Sequence, residues 1–185
     1  MKVLCMTERG IPEEKKYGKL EILDMPMPEV GDEDVLIRIC YSAICGSDPH
    51  ILSGMLASEL PTGMGHEMCG IVEKVVAKVG KGGTHRDIKV GDKVTMFPVS
   101  HCGECEWCKK GMTQYCINAK ATGAFAEYVV TDVKTIYKLP DDADMQKYAI
   151  VEPTNCCLRA MDLAPIRHGA TVCVAGVGGI GSIML

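Results

Sequence analysis

The sequence predicts a mostly β protein with some α-helix, and three observations support this. Residues 1–100 contain short apolar runs separated by turn residues, which is typical of a compact β-barrel or sandwich. Candidate helices begin after residue 140. Residues 170–185 form an apolar run followed by glycines, which indicates the first strand and turn of a different, parallel sheet.

Five segments of the first 140 residues are predicted to be strands from their apolar content or alternating pattern. They are residues 35–41, residues 71–79, a segment that follows a turn at residues 90–94 and ends near Pro98, and residues 125–130 and 133–138. Residues 80–87 are rich in glycine and polar residues, so we expect a surface loop there. His85 lies in that loop, where we expect a solvated side chain and not a metal ligand.

Two helical segments follow the strands. Residues 141–146 offer a helix start, and Glu152 and Pro153 open a second helix that is expected to run to about Leu163. Pro153 fits the first turn of that helix, because its missing N–H would have no partner there.

The last residues combine an apolar strand pattern with a glycine motif. Residues 170–175 predict a strand buried on both faces of a parallel sheet. They run into Gly176, Gly178 and Gly181, a G-x-G-x-x-G followed by the predicted start of a helix at residues 182–185. The motif alone is a weak signal, but this context is typical of dinucleotide binding. Such a unit needs about 30 residues and an acidic residue about 20 further on, so we expect the cofactor domain to be cut within its first turn.

Composition and charge argue against several classes of partner. The chain has 185 residues, a net charge of −4 and 5% aromatic residues, which disfavours binding to nucleic acid or to anionic membranes. No apolar stretch approaches the roughly 18 residues of a membrane span. The N-terminus lacks the apolar segment of a signal peptide.

The eleven cysteines favour a reducing compartment. Four belong to one spaced motif, and most of the other seven sit in apolar runs, where a free thiol behaves as a small hydrophobic group. We therefore expect a soluble, cytoplasmic protein.

The spaced motif is Cys102-x2-Cys105-x2-Cys108-x7-Cys116. Cysteines at these intervals on a tight loop can bring four sulfurs to one tetrahedral point, which is the arrangement of a closed, structural zinc site. Disulfides are the rival interpretation, but cysteines so close in sequence rarely reach a relaxed disulfide geometry. The motif predicts one structural zinc ion.

A second group of metal-binding side chains stands next to predicted strands. Cys45 comes directly after one strand, and His66 and Glu67 precede the next. Three such ligands would leave zinc an open position, as in catalytic sites. On the residues alone this signal is only moderately specific. A cysteine after a strand is more often part of the core, and the triplet Gly65-His66-Glu67 can arise by chance.

Taken together, these motifs resemble the zinc-containing medium-chain alcohol dehydrogenase family, in its sorbitol and threonine dehydrogenase-like branch. The resemblance covers essentially the whole chain. It rests on Cys45-Gly46-Ser47-Asp48-x-His50, Gly65-His66-Glu67, the four spaced cysteines, Phe125-Ala126-Glu127-Tyr128, Glu152-Pro153 and the Gly176/Gly178/Gly181 loop, in the family's order.

The resemblance implies a fold and an activity. Residues 1–153 are expected to form a GroES-like β-barrel catalytic domain, and residues 154–185 a linking helix and the truncated start of a Rossmann coenzyme domain. The full-length protein would oxidise an alcohol or polyol through a zinc-bound alkoxide and hydride transfer to NAD or NADP, using one catalytic and one structural Zn2+. The fragment itself is expected to be inactive. Its unpaired apolar strand predicts self-association, so we expect a homo-oligomer.

The resemblance also implies the ligands of the catalytic zinc. Cys45 and His66 match the first two. Glu152 stands where this branch has an acidic residue, and Glu67 matches a glutamate that binds zinc directly or lies just behind it. Cys156, four residues after Glu152, is a rival ligand that we expect to be a core residue instead.

Three further residues have expected roles near that site. Ser47 matches the family's hydroxyl that accepts the substrate proton, and His50 the histidine that passes it toward solvent. Asp48 is expected to bond backbone N–H groups in the turn, without a catalytic role.

Two alternative functions stay open. One is a threonine 3-dehydrogenase-like enzyme, which differs only in substrate. The other is a zinc-binding module without catalysis, such as a nucleic-acid reader, which the negative net charge disfavours. One zinc ion per chain would favour the module, and two would favour the dehydrogenase.

Overall fold

The structure is a computed structural model that describes residues 1–56, 59–76 and 88–185. β-Strands carry most of the barrel region, as predicted. Within these ranges the strands are β1 (Lys2–Glu8), β2 (Lys19–Asp24), β3 (Asp34–Ala43), β4 (Thr62–Gly63), β5 (Glu67–Val75), β6 (Lys93–Met96), β7 (Val99–Ser100), β8 (Lys120–Ala121), β9 (Tyr128–Asp132) and β10 (Ile136–Lys138). The α-helices are α1 (Ser47–Leu52), α2 (Glu106–Lys109), α3 (Met145–Tyr148), α4 (Val151–Leu163) and α5 (Gly179–Ile183).

A five-stranded antiparallel sheet in the order β10-β6-β5-β3-β9 forms the centre of the fold. Alternate residues of its strands point into one apolar core, as the period of a half-buried strand requires. The fully buried core side chains include Val35, Ile37, Met68, Val72, Val94 and Ile136. A second sheet, β2-β1-β4, packs at one side, and a short ladder joins β7 to β8.

The pairing of β3 with β5 positions the residues of interest. These strands are antiparallel, and Ala43 at the end of β3 lies opposite Glu67 at the start of β5. The segment that leaves β3 therefore meets the segment that enters β5. This places the Cys45 turn beside His66, although 21 positions separate the two residues in the sequence.

The strand predicted at residues 35–41 is slightly longer, Asp34–Ala43, and three other predicted strands differ more. β5 begins at Glu67, four residues before the predicted start, and residues 77–79 of the prediction lie outside the described part of the chain, as do the predicted loop 80–87 and His85. β9 begins at Tyr128 instead of residue 125. The prediction of one strand over residues 133–138 was wrong, because Val133–Thr135 is a 3-10 helix and only Ile136–Lys138 is a strand. The Asp132 carboxylate caps this short helix by accepting a hydrogen bond from the Lys134 N–H.

The C-terminal strand prediction was also wrong. Residues 170–175 contain no strand, and Val172 and Cys173 are exposed. An apolar segment forms a strand only when a neighbouring strand pairs with it. Among the described residues, every strand pairs with another of β1–β10, and none pairs with residues 170–175. α5 begins at Gly179, three residues before the predicted helix start, whereas α4 ends at Leu163 as expected.

Across the described ranges, we find no helix that combines the length and the apolar character needed to cross a bilayer.

Candidate metal centres

The four spaced cysteines converge in a small lobe between β7 and β8. Their sulfur atoms all lie within 4.8 Å of one another, and the Sγ atoms of Cys102 and Cys116 are 3.6 Å apart. Zinc–sulfur bonds of about 2.3 Å in a tetrahedron place the sulfurs roughly 3.8 Å apart, so this donor set fits zinc. All eleven cysteines of the chain are free thiols.

The lobe polarises its sulfurs through backbone N–H groups. Cys105 N donates to Cys102 Sγ at 3.4 Å, and Cys102 N donates to Cys116 Sγ at 3.4 Å. Hydrogen bonds from the backbone of Glu104 and then of Cys105 lower the pKa of Cys102 to about 6. Desolvation raises the pKa of Cys108 to about 12. A loop that favours the thiolate form of even one cysteine is suited to a cation, because metals bind the deprotonated sulfur.

A second cluster brings Cys45, His66 and Glu67 together. One ligand atom from each lies within 4.8 Å of the other two. Cys45 begins the turn that leads from β3 into α1, His66 immediately precedes β5, and Glu67 is the first residue of β5 with only 4% exposure. A thiol, an imidazole and a carboxylate from three residues are a donor set that suits zinc with one position open.

Asp48 has a contact that the sequence did not reveal. Its Oδ2 atom accepts a hydrogen bond from Cys45 N at 2.8 Å, which is the expected turn contact. Its Oδ1 atom lies 3.7 Å from His66 Nδ1 and is buried without a hydrogen-bond partner among the described residues. A carboxylate behind a histidine orients the ring and directs its other nitrogen toward a metal. Asp48 Oδ1 is therefore placed where it could orient His66, in addition to the turn contact of Oδ2.

Two residues of α4 lie near this cluster but outside the group of three. Glu152 is partly buried, and burial raises its pKa while His66 lowers it and Glu67 raises it. Cys156, one helical turn later, is exposed, so the expectation of a core position was wrong; Cys157 beside it is the buried residue. Cys157 therefore lies on the buried face of α4, and Cys156 lies on its exposed face.

Ser47 and His50 occupy the first turns of α1. Ser47 Oγ lies 3.2 Å from His66 Nε2, within hydrogen-bond distance. His50 is exposed, and its Nδ1 atom lies 3.4 Å from Met55 Sδ. The structure thus brings Ser47 to the cluster and leaves His50 toward solvent.

A cleft of about 620 Å3 opens beside the cluster. Ser47, His66 and Glu152 line it, and most of the other lining residues with side chains are apolar. A smaller cavity of about 230 Å3 adjoins it on the Glu152 side, and Phe97 and Glu152 line both. A small organic molecule in the cleft would therefore reach the cluster.

Gly65, the residue before His66, lies close against the Phe125 ring. Gly65 has a φ of +81°, and a Cβ there would lie 2.6 Å from the Phe125 ring. Ala124 N and Phe125 N donate to Gly65 O and Met64 O at 3.0 and 2.8 Å. Glycine is required here for two reasons: the positive φ, and the absence of space for a Cβ beside the Phe125 ring.

The predicted cofactor glycines lie at the start of α5. Gly176 has a φ of +102°, and a Cβ on Gly181 would meet the Gly176 carbonyl, so the turn is tightly folded on itself. Cys157 Sγ contacts Ile180 O at 3.6 Å, which ties the turn to α4. The loop is formed, but among the described residues it has no parallel sheet beneath it.

Comparison with known proteins agrees with this arrangement. Residues 31–141 match the family model of the alcohol dehydrogenase GroES-like domain. The D-arabitol-phosphate dehydrogenase of Enterococcus avium is 34% identical over 98% of this chain and 53% of its own length. The sorbitol dehydrogenase of Halalkalibacterium halodurans is 32% identical over 98% of this chain and 51% of its own.

A solved structure has the same fold. It is described as a zinc-binding dehydrogenase from Sinorhizobium meliloti bound to NADP, and it superposes with a TM-score of 0.82 at 34% identity over 99% of this chain and 51% of that one. The class defined by the fold and the cluster is thus a zinc-type dehydrogenase with a GroES-like domain. This chain belongs to the zinc-containing medium-chain alcohol dehydrogenase family, which confirms the resemblance, and the two curated relatives above are named as polyol or polyol-phosphate dehydrogenases. It spans about half the length of the curated relatives it matches.

Proposed function

We propose that this chain is the catalytic-domain portion of a zinc-dependent alcohol or polyol dehydrogenase that uses NAD or NADP. The observation that supports this most directly is the convergence of Cys45, His66 and Glu67 within 4.8 Å beside an open cleft. Its relatives act on sorbitol and D-arabitol phosphate by name, and one structural neighbour carries NADP.

The catalytic zinc would be held by Cys45, His66 and Glu67, with Glu152 facing it from α4. Bound there, it would supply a Lewis acid that makes an alcohol hydroxyl acidic near neutral pH. Asp48, whose Oδ1 lies 3.7 Å from His66 Nδ1, would help to orient the ring as a ligand. The second zinc would be enclosed by Cys102, Cys105, Cys108 and Cys116 and would serve as a brace for the lobe.

The proton of the substrate hydroxyl would pass through residues of α1. Ser47 lies at the cleft next to His66 and offers a hydroxyl that can accept and donate in the same step. His50, one turn further and exposed, can hand the proton to solvent. Ser47 is therefore assigned to contact the substrate, and His50 to relay the proton outward.

The coenzyme would bind across Gly176, Gly178 and Gly181. A dinucleotide site needs a parallel sheet below such a loop, and residues 170–175 form no strand here. The 185 residues alone are thus expected to reduce neither NAD nor NADP. Measuring NAD(P)H absorbance with a panel of polyols and amino alcohols checks this, and a robust rate would contradict it. A preference for amino alcohols in the longer protein would favour the threonine dehydrogenase-like alternative.

Two further properties of this chain are also proposed. The free thiols support a reducing, cytoplasmic location. A homo-oligomer is supported by the apolar cavity of about 550 Å3 between α4 and residues 166–184, whose wall includes exposed Met161 and Ile180. Light scattering on the purified chain tests the oligomer, and a monomer at all concentrations would count against it.

Metal stoichiometry tests the central proposal. The purified, chelator-free chain should hold two zinc ions, and Cys45→Ser should hold one, because only the open centre loses a ligand. Cys173→Ser, at an exposed thiol, is the matched control and should keep two. A wild-type chain that binds only one zinc would instead support a non-catalytic zinc module.

A further inference from the structure

We infer that the cleft beside the Cys45–His66–Glu67 cluster selects a short, uncharged alcohol with an apolar end, such as a vicinal diol, over a polyol or a polyol phosphate. The inference rests on the proposed function and concerns the substrate class of that same site. It follows from how polar and charged groups are distributed along the cleft wall.

The polar groups gather at the metal end. Ser47 Oγ and His66 Nε2 are 3.2 Å apart, and Glu152 lines the cleft together with them. The smaller cavity that could take additional hydroxyls adjoins Glu152 and Phe97, so it also lies on this side. One or two substrate hydroxyls therefore find partners near the reacting carbon.

The rest of the wall is apolar. It is lined by Ile51, Leu56, Met64, Phe97, Val99 and Ala121. Thr62 and Thr122 supply the only side-chain hydroxyls among the described residues of that part, and the Thr122 N–H is already bonded to Pro98 O at 2.9 Å. A polyol carries a hydroxyl on every carbon, and each one buried without a partner lowers affinity roughly tenfold. A substrate whose far end is a methyl or ethyl group has no hydroxyl there and does not lose affinity in this way.

The charge of the wall disfavours a phosphate. None of the described residues that line the cleft is a lysine or arginine, and the ionisable groups there are His66 and Glu152. Lys120 precedes the lining residue Ala121 in β8, so strand alternation places it on the opposite face. The charge of a zinc ion at the cluster would already be balanced by the Cys45 thiolate and the Glu67 carboxylate. A phosphate dianion in the cleft would therefore meet the Glu152 carboxylate with no lysine or arginine of the described lining to offset it.

The test is a titration of the zinc-loaded chain followed by methyl NMR. The Ile51 and Met64 methyl groups report on the cleft, and exposed Ile22 on β2 reports on non-specific binding. The probes are 2,3-butanediol, sorbitol and sorbitol 6-phosphate. We expect the diol to shift both cleft signals with a Kd at least tenfold below that of sorbitol. Sorbitol 6-phosphate should leave them unchanged at concentrations at which the diol saturates.

A charge-gain variant makes the result specific. Thr122→Lys adds a cation to the lining and should raise the affinity for sorbitol 6-phosphate relative to the diol at least tenfold, whereas Thr122→Val should not. Wild-type binding of sorbitol or its phosphate as tight as that of the diol would overturn the inference and leave the proposed function standing. No response of the cleft methyls to any probe while two zinc ions are bound would overturn the inference alone, whereas a wild-type chain that holds only one zinc ion would count against the proposed function.

Discussion

The two candidate metal centres are built in opposite ways. All four thiols of the lobe come from one stretch, residues 102–116, whose regular structure is α2 and one 3-10 turn. Cys45, His66 and Glu67 come from two segments that meet only because β3 pairs with β5. The lobe thus depends on local spacing, and the open centre depends on the register of the barrel. Damage to one centre should leave the other intact.

The physical link between them is narrow. The lobe joins the barrel through β7 and β8, two residues each, in which Val99 pairs with Ala121 and Ser100 with Lys120. Val99 and Ala121 also line the cleft. Loss of the lobe should therefore change the shape of the cleft before it changes the cluster of Cys45, His66 and Glu67.

The largest expected effect is that of Cys105→Ser. A structural zinc site contributes on the order of 10 kcal/mol of binding free energy that also orders its loop, and α2 is too short to persist alone. Amide hydrogen exchange should show loss of protection across residues 102–118 and unchanged protection in β3 and β5. Protection lost throughout the chain would show that the lobe and the barrel are not independent.

Gly65→Ala tests the open centre formed by Cys45, His66 and Glu67. The added methyl would clash with the Phe125 ring at 2.6 Å and would force a side chain onto a φ of +81°. We expect about 2–3 kcal/mol of destabilisation in urea unfolding and loss of zinc from the open centre only. Gly91→Ala, with a φ of +91° and open space around it, isolates the backbone effect at about 1 kcal/mol. Equal effects of the two substitutions would rule out a role for Phe125.

Asp48→Asn tests whether the buried carboxylate supports His66. The amide can still accept from Cys45 N, but it removes the negative charge 3.7 Å from His66 Nδ1. Zinc affinity at the open centre should fall 10–100-fold, and the lobe should bind as before, both measured by competition with a chromophoric chelator. Asp144→Asn, at the N-cap of α3, is the matched control. If the zinc affinity of the open centre is the same in Asp48→Asn and the wild type, Asp48 has no role beyond its turn contact with Cys45 N.

The smallest effect concerns an ion pair remote from both centres. Burial opposes ionisation of Asp92, but hydrogen bonds from Lys138 Nζ at 2.7 Å and Lys89 N at 2.9 Å outweigh it and lower its pKa. A lowered folded-state pKa stabilises the protein above the unfolded value of about 3.9, and this contribution disappears as pH falls through the folded value. With chelator present, the wild type should lose about 1 kcal/mol more than Asp92→Asn between pH 5 and pH 3. Asp24→Asn, at an exposed pair, should match the wild type; identical acid profiles for Asp92→Asn and the wild type would contradict the assignment.

The local centre could be predicted from the sequence more fully than the non-local one. Cysteine spacing alone indicates four converging sulfurs, whereas the meeting of Cys45 and Glu67 needs a strand register that no short pattern specifies. The start of β5 was missed because Glu67 and Gly70 are unusual in a strand interior; here Glu67 is buried at the cluster, and a Cβ on Gly70 would meet Arg38 O.

Other misses have equally physical causes. The Asp48 carboxylate has two oxygens, and the turn pattern accounts for only one of them. The apolar residues 170–175 have the composition of a buried strand, but composition does not provide the neighbouring strand that pairing requires. Helix α4 was predicted well because Glu152, Pro153 and the following residues give local start signals.

The pairing of β3 with β5 is irregular at Cys40, where the register shifts between Ile39–Gly70 and Tyr41–Cys69. A slip of one residue in this pairing would carry Glu67 to the other face of the sheet. An ion at Cys45, His66 and Glu67 can be captured only by chains that have avoided that error. The rate of metal uptake after dilution from denaturant would then report the rate at which β3 and β5 pair in the correct register.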